Sequence, residues 1–203
     1  MPRPSRVLPL CFALSATLAL SATAVAAPPE APALDRLGFD PAVLVADGRE
    51  LLQRAPDKAI DGLFQAVHAA AETPGEADAL CGLFDTEADR SLADMNAAAQ
   101  GLAPESRERF ALAVAEVLVE ATRNPPQAFD ADRAQQAFKR AGATAAILHA
   151  DFLPGLQSDA GEDRCRSFGM LLDALADQPL GERAAVTRLL LDQGLSRAAD
   201  ALR

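Results

Sequence analysis

The feature that most constrains this fold is the helical spacing of apolar residues between prolines. Beyond residue 40, apolar side chains recur at steps of about three and four residues, which places them on one face of an α-helix. Asp40-Pro41 and Thr73-Pro74 are typical of an N-cap followed by proline in the first turn, and Asn124-Pro125-Pro126 is typical of a helix end. No segment alternates apolar and polar residues with β-branched enrichment, so we predict no sheet.

The pattern therefore predicts an all-α bundle of about seven or eight helices. One helix, from Pro104 to about Arg123, is apolar nearly all round, so we expect it at the centre of the bundle. Residues 151–161 are rich in turn formers, and we expect a loop there. The other helices are expected from Pro41 to about Arg54, from Pro56 through Ala71, from Pro74 to Gly101, from Asp130 to Ala150, through Cys165 to Pro179, from there to Gly194, and after Ser196. A break within the helix from Pro74 to Gly101 is the alternative for that segment.

The first 27 residues have the organisation of a secretory signal peptide. Arg3 and Arg6 precede an apolar run over residues 7–20, and Ala24-x-Ala26 fits the small-residue rule for cleavage. The run is shorter than the roughly 20 apolar residues of a membrane span, so we expect cleavage and no stable membrane anchor. An uncleaved N-terminal anchor is the alternative. The sequence thus predicts a signal peptide over 1–27, a Pro- and Ala-rich linker over 28–38 and a helical domain over 39–203.

Charge and composition narrow the classes of partner. The chain has 19 Lys and Arg against 29 Asp and Glu, a net charge of −10, and loss of Arg3 and Arg6 would lower the basic count to 17 and the charge to −12. Such a surface repels nucleic acid and anionic lipid and attracts basic proteins, although solubility alone would also explain it. The Ala- and Arg-rich composition, with two lysines and neither Trp nor Tyr, indicates a GC-rich bacterial gene and hence a periplasmic destination.

Two cysteines would remain after cleavage, Cys81 and Cys165. In an oxidising compartment an even count predicts a disulfide, and helical periodicity places both thiols on core-facing sides of their helices. The bond would close a loop of about 85 residues and contribute on the order of 4.5 kcal/mol in the chain-entropy model. Two buried free thiols are the alternative.

Echoes between the two halves of the domain suggest an internal duplication. Phe39-Asp40 is echoed by Phe129-Asp130, and Cys81-x-x-Phe84 by Cys165-x-x-Phe168. The halves would be 39–124 and 127–203, related by a pseudo-two-fold axis. Chance similarity between Ala-rich amphipathic helices is the alternative.

The sequence contains no recognisable catalytic, cofactor or metal motif. His68 and His149 belong to neither a His-Glu-x-x-His nor a His-x₃-His pattern, so we expect each to be half-buried and structural. Nucleotide-binding glycine loops and the Gly-x-Ser-x-Gly elbow are likewise missing from the sequence. Carboxylates are so numerous that no pair stands out as catalytic. We therefore predict no catalytic residue, no cofactor and no metal ligand.

Two stretches concentrate acidic residues, 76–94 and 151–163. The second combines acids with apolar side chains in the expected loop, which is a plausible docking feature for a basic protein. Folding of its apolar residues onto the bundle is the alternative. The candidate contact residues are Asp151, Phe152, Leu156, Asp159, Glu162 and Asp163.

A small exported all-helical protein with strong acidity, a disulfide and no cofactor motif resembles in profile the periplasmic immunity proteins. Those proteins neutralise antibacterial effectors delivered by secretion systems, including type IV systems. The resemblance implies a non-enzymatic periplasmic inhibitor that binds a basic secreted effector. A periplasmic chaperone or envelope-assembly factor is the second hypothesis, and an envelope-acting enzyme with a carboxylate pair is the third.

Overall fold

The computed structural model describes residues 41–73, 75–84 and 92–201, with side chains described over 47–73, 75–81 and 97–197. The predicted signal peptide (1–27) and linker (28–38) lie outside these residues. The described residues are predominantly helical and contain no strand, which confirms the prediction of an all-α bundle. They fall within one compact unit, Gly38–Arg203. None of the described helices is both long and apolar enough to cross a membrane.

Nine helices are present in this part of the chain. They are α1 (Pro41–Arg54), α2 (Asp57–Ala71), α3 (Glu76–Phe84), α4 (Leu92–Gly101), α5 (Pro104–Arg123), α6 (Ala131–Leu148), α7 (Phe152–Leu156), α8 (Gly161–Ala176) and α9 (Leu180–Ala201).

Local sequence explains three of the helix ends. Pro104 is the first residue of α5, where a missing backbone N–H costs nothing. The carboxylate of Asp130 accepts a hydrogen bond of 3.0 Å from the backbone N–H of Arg133 and so caps α6. The helix α5 ends at Arg123, directly before Asn124-Pro125-Pro126, as predicted.

Helix α2 lies at the centre of the bundle, packed against α5, α9, α3 and α8. The prediction that α5 is central is wrong: its inner face packs on α1 and α2, while Leu112, Val114, Leu118 and Val119 are exposed. Alanines fill much of the core and allow close helix approach. Those with no exposed surface are Ala55, Ala66, Ala70, Ala121, Ala134, Ala141, Ala145 and Ala184.

The segment from Pro74 to Gly101 follows the alternative with a break: it forms two helices, α3 and α4, and residues 85–91 lie outside the described part. One other expected boundary differs from the structure. Helix α9 continues through Gly194 and does not restart after Ser196. The hydroxyl of Ser196 donates to the Asp192 carbonyl at 2.8 Å, and Arg49 of α1 contacts both residues. These contacts hold the helix past the glycine, whose intrinsic cost is about 1 kcal/mol.

Two arginines of α9, Arg183 and Arg188, form hydrogen bonds to α1, α2 and α8. Arg188, which is 3% exposed, donates to the carbonyls of Leu52 and Ala55 at the end of α1 and to the carboxylate of Asp57. Arg183 donates two hydrogen bonds, of 2.7 and 2.9 Å, to Asp61 of α2. The hydrogen bond to Asp61 raises the pKa of Arg183, with desolvation opposing the shift and the charge of Asp61 adding to it.

A disulfide joins α3 to α8. Cys81 and Cys165 have Cα atoms 5.4 Å apart, within the usual range for a bridge, so the predicted pairing is confirmed. Both cysteines are half-buried, and the bond ties α3 to the bundle beside the small cluster of Ala70, Leu80 and Leu102.

The proposed halves 39–124 and 127–203 share one core. Helix α2 of the first packs against α9 and α8 of the second, and α1 also contacts α9. The duplication itself stays a prediction.

Candidate protein-binding surface

The segment predicted as a docking loop contains a short helix. After α6 ends, the backbone N–H of Phe152 donates to the His149 carbonyl at 3.2 Å, and that of Gly155 donates to Asp151 at 2.9 Å. The expectation of a loop over 151–161 is therefore wrong for Phe152–Leu156, which forms α7. Pro154 and Gly155 lie within that helix, and the other turn formers of the segment flank it.

Phe152 does not belong to a contact surface. Its side chain is 2% exposed and lies in the core cluster with Leu171 and Leu172 of α8. Its carbonyl accepts a hydrogen bond of 3.0 Å from the buried hydroxyl of Ser167. The prediction that Phe152 contacts a partner is therefore wrong. Packing of this large aromatic ring among apolar side chains stabilises the fold more than exposure of the ring to water would.

The residues around Phe152 are the ones that face solvent. Ile147 is 83% exposed and Leu153 is 53% exposed. Leu148 and Leu156 are also exposed. We call these four residues, which lie within ten positions across one tight turn, the apolar corner: Ile147, Leu148, Leu153 and Leu156.

The four acidic residues of segment 151–163 differ in whether they form ion pairs. Glu162 and Asp163 share Arg166, at 3.3 and 3.4 Å, and Asp163 also accepts from Ser158. Asp151 and Asp159 are exposed, and their carboxylates form no ion pair within the described part of the chain. Of the four acids, Asp151 and Asp159 are therefore the two without an ion pair among the described residues, and Arg164 donates to the backbone carbonyl of Asp159 at 2.9 Å.

The other acidic stretch, 76–94, contributes fewer exposed acidic side chains among the described residues. Glu76 is buried at the start of α3, and Asp78 is exposed. The side chains of Asp85, Glu87, Asp89 and Asp94 lie outside the described residues.

A second apolar surface lies on α5. We call the exposed residues Leu112, Val114, Leu118 and Val119 the α5 outer face. They point away from the buried Ala113 and Val117, which face α1 and α2. The all-round apolar pattern of this helix was visible in the sequence, but it did not reveal which side would be covered.

One group of side chains in the described residues has metal-ligand chemistry: His68, Glu72 and Asp173. His68 and Glu72 are one turn apart on α2, and Asp173 comes from α8. The imidazole Nε2 lies 3.0 Å from Asp173 Oδ1, and Nδ1 lies 3.9 Å from Glu72 Oε2. Sequence spacing missed this group because its third member is 105 residues away from His68.

His68 and His149 are both half-buried, as expected. The ring of His68 stacks on Phe64 with centroids 5.8 Å apart and planes 9° from parallel.

Comparison with known protein families, with curated proteins and with solved structures found no match to this chain. Proposals about its function therefore depend on its own surfaces and contacts.

Proposed function

We propose that this protein is a periplasmic inhibitor that binds a basic secreted effector through the apolar corner. The observation that carries the proposal is that Ile147 and Leu153 are strongly exposed and lie close in sequence to two exposed acids. Those acids, Asp151 and Asp159, form no ion pair among the described residues. Large apolar side chains supply contact area, and flanking charges select and orient a partner of opposite sign.

The charge of the whole chain favours the same class of partner. A net charge of −10 accelerates encounter with a basic protein and repels acidic competitors. Bonding of α7 to α8 through Ser167 and Phe152 presents Leu153 from a fixed position, which reduces the entropy lost on binding. The export of the protein is part of this proposal and is tested with it.

The partner can be captured at the surface itself. A photoreactive side chain placed at Leu153 in cells should crosslink one basic periplasmic protein, and the same group at Lys139 on α6 should not. The captured protein expressed alone in the periplasm should arrest growth, and co-expression of this chain should restore growth. The intact mass of the recovered chain should correspond to cleavage near Ala26–Ala27.

Variants then distinguish residues that hold the bound complex together from residues that speed its formation. With the purified captured protein, Ile147→Ser combined with Leu153→Ser should weaken binding at least about tenfold through faster dissociation. Asp151→Lys combined with Asp159→Lys should mainly slow association, as should added salt. Asp47→Lys combined with Glu108→Lys is the matched control for the charge change, since both are exposed acids on other helices.

Unchanged binding by both double variants, with the fold intact, would contradict the apolar corner as the contact surface. A captured protein that is harmless in the periplasm would contradict inhibition of an effector.

The α5 outer face favours a second candidate function, a periplasmic chaperone. Exposed Leu112, Val114, Leu118 and Val119 could receive apolar segments of many unfolded clients. A photoreactive group at Leu112 would then capture many unrelated envelope proteins, whereas the inhibitor proposal predicts a single partner captured at Leu153.

A further inference from the structure

We propose that His68, Glu72 and Asp173 form a binding site for a divalent transition-metal ion of the Zn²⁺ class between α2 and α8. The three ligand atoms lie within 4.8 Å of one another. This site is separate in its residues from the apolar corner and does not depend on the proposed inhibitor function.

The imidazole of His68 lies beside both carboxylates. Its Nε2 is 3.0 Å from Asp173 Oδ1, and its Nδ1 is 3.9 Å from Glu72 Oε2. A neutral imidazole carries a proton on one ring nitrogen, so the other nitrogen has a lone pair that can bind a metal ion. An ion bound by that nitrogen and the two carboxylates would offset the negative charge that the carboxylates place beside each other.

The helix ends add negative potential at the same place. Glu72 is the C-cap of α2, and Asp173 lies in the last turn of α8. Each helix carries about half a negative charge at its C-terminus, where acidic side chains are unfavourable. Arg183 donates to carbonyls at the end of α8, Ala176 and Gln178, but its charge is paired with Asp61. Two carboxylates and two helix C-termini thus converge around one imidazole.

The ligand set favours a transition metal over Mg²⁺ or Ca²⁺. One imidazole nitrogen with two carboxylate oxygens suits Zn²⁺ and its neighbours, whereas Mg²⁺ and Ca²⁺ prefer oxygen alone. Bonds of about 2.0 to 2.2 Å would bring the ligand atoms to about 3.3 Å from one another. Glu72 is largely exposed and can supply this movement by rotation of its side chain, while stacking on Phe64 holds the His68 ring.

Calorimetric titration of the metal-free, untagged full chain with Zn²⁺ tests the site. Replacement of Cys11 by Ser in all samples removes the one thiol outside the disulfide. We expect one Zn²⁺ per chain with a dissociation constant below about 10 µM, a rise in melting temperature with Zn²⁺, and no such rise with Mg²⁺.

Three variants should each weaken Zn²⁺ binding at least about tenfold: His68→Phe, which keeps the aromatic stack, Glu72→Gln and Asp173→Asn. The matched controls are His149→Phe for the second histidine and Asp177→Asn for an exposed acid at the end of α8, and both should bind like the parent. Circular dichroism confirms that each variant is folded. Zn²⁺ binding that persists in His68→Phe, or that is lost in His149→Phe, would overturn the assignment. An absence of Zn²⁺ binding in the parent chain would also overturn it.

Discussion

At the residue scale, Gly155 decides how closely α7 can lie against α8. A Cβ at this position would be 2.2 Å from Ser167 Oγ and 3.0 Å from the Asp163 carbonyl oxygen. Ser167 is buried and its hydroxyl is used by the Phe152 carbonyl, so it cannot turn aside without loss of that bond. The absence of a side chain at residue 155 is therefore a packing requirement.

We expect Gly155→Ala to lower the free energy of unfolding by about 1 to 3 kcal/mol, because the added methyl overpacks the contact between α7 and α8. Gly169→Ala in α8 is the matched control, since nothing lies within 4 Å of its Cβ position. It should stabilise the protein by up to about 1 kcal/mol through helix propensity. Urea denaturation measures both. A Gly155→Ala protein as stable as the parent would show that α7 can separate from α8 without cost.

At the element scale, α9 is attached to the rest of the bundle by buried charge as well as by apolar packing. Arg188 supplies the hydrogen bonds that the end of α1 cannot make within its own helix. Its three partners, Leu52, Ala55 and Asp57, belong to the α1–α2 corner, more than 130 residues earlier in the chain.

Arg188→Met should reduce the free energy of unfolding by about 3 to 5 kcal/mol, because two buried carbonyls and a carboxylate lose their partner. Arg109→Met on the exposed side of α5 is the control and should change stability by less than about 0.5 kcal/mol. Thermal and chemical denaturation compare the two. Equal stability of the two variants would mean that water replaces the arginine at the α1–α2 corner.

The disulfide between Cys81 and Cys165 attaches a second element, α3, to α8. Cys81→Ser combined with Cys165→Ser should remove on the order of 4 kcal/mol of stability, because the bond spans 84 residues and restricts the unfolded chain. Hydrogen exchange should rise in α3 more than in α2. Thiol labelling of the denatured, unreduced parent should detect no cysteine other than Cys11; reaction at Cys81 or Cys165 would contradict the bond.

At the scale of the whole molecule, the bundle leaves apolar surface on its outside while it buries a phenylalanine from a turn-rich segment. Leu112, which is 64% exposed on α5, and Phe152 on α7 illustrate the contrast. Both are large apolar residues in amphipathic sequence, and only the packing around them distinguishes a surface residue from a core residue.

Leu112→Lys should therefore change the free energy of unfolding by less than about 0.5 kcal/mol, whereas Phe152→Ala should lower it by about 3 to 5 kcal/mol. Equilibrium denaturation of the two variants checks the pair. A large loss in Leu112→Lys would place the α5 outer face in the core, and a small loss in Phe152→Ala would return that ring to the candidate contact surface.

The sequence by itself determined the class of fold, most helix boundaries and the cysteine pairing. These depend on local chemistry: Asp130 caps the helix that follows it, Pro104 begins α5, and Asn124-Pro125-Pro126 ends it. Cys81 and Cys165 are the two cysteines of the predicted helical domain, and two cysteines have one intramolecular pairing open to them. Each of these results follows from neighbouring residues or from a count, so no knowledge of the packing was needed.

Only the tertiary structure decided which apolar residues are covered and which distant groups meet. A helical repeat shows that a side chain belongs to an apolar face, but a neighbouring helix must lie on that face to bury it, as α8 does for Phe152 and as no described helix does for Leu112. The contact of His68 with Asp173 across 105 residues likewise depends on α2 and α8 packing in one register. Packing is set by the summed burial of all helices, which no local segment of the sequence specifies.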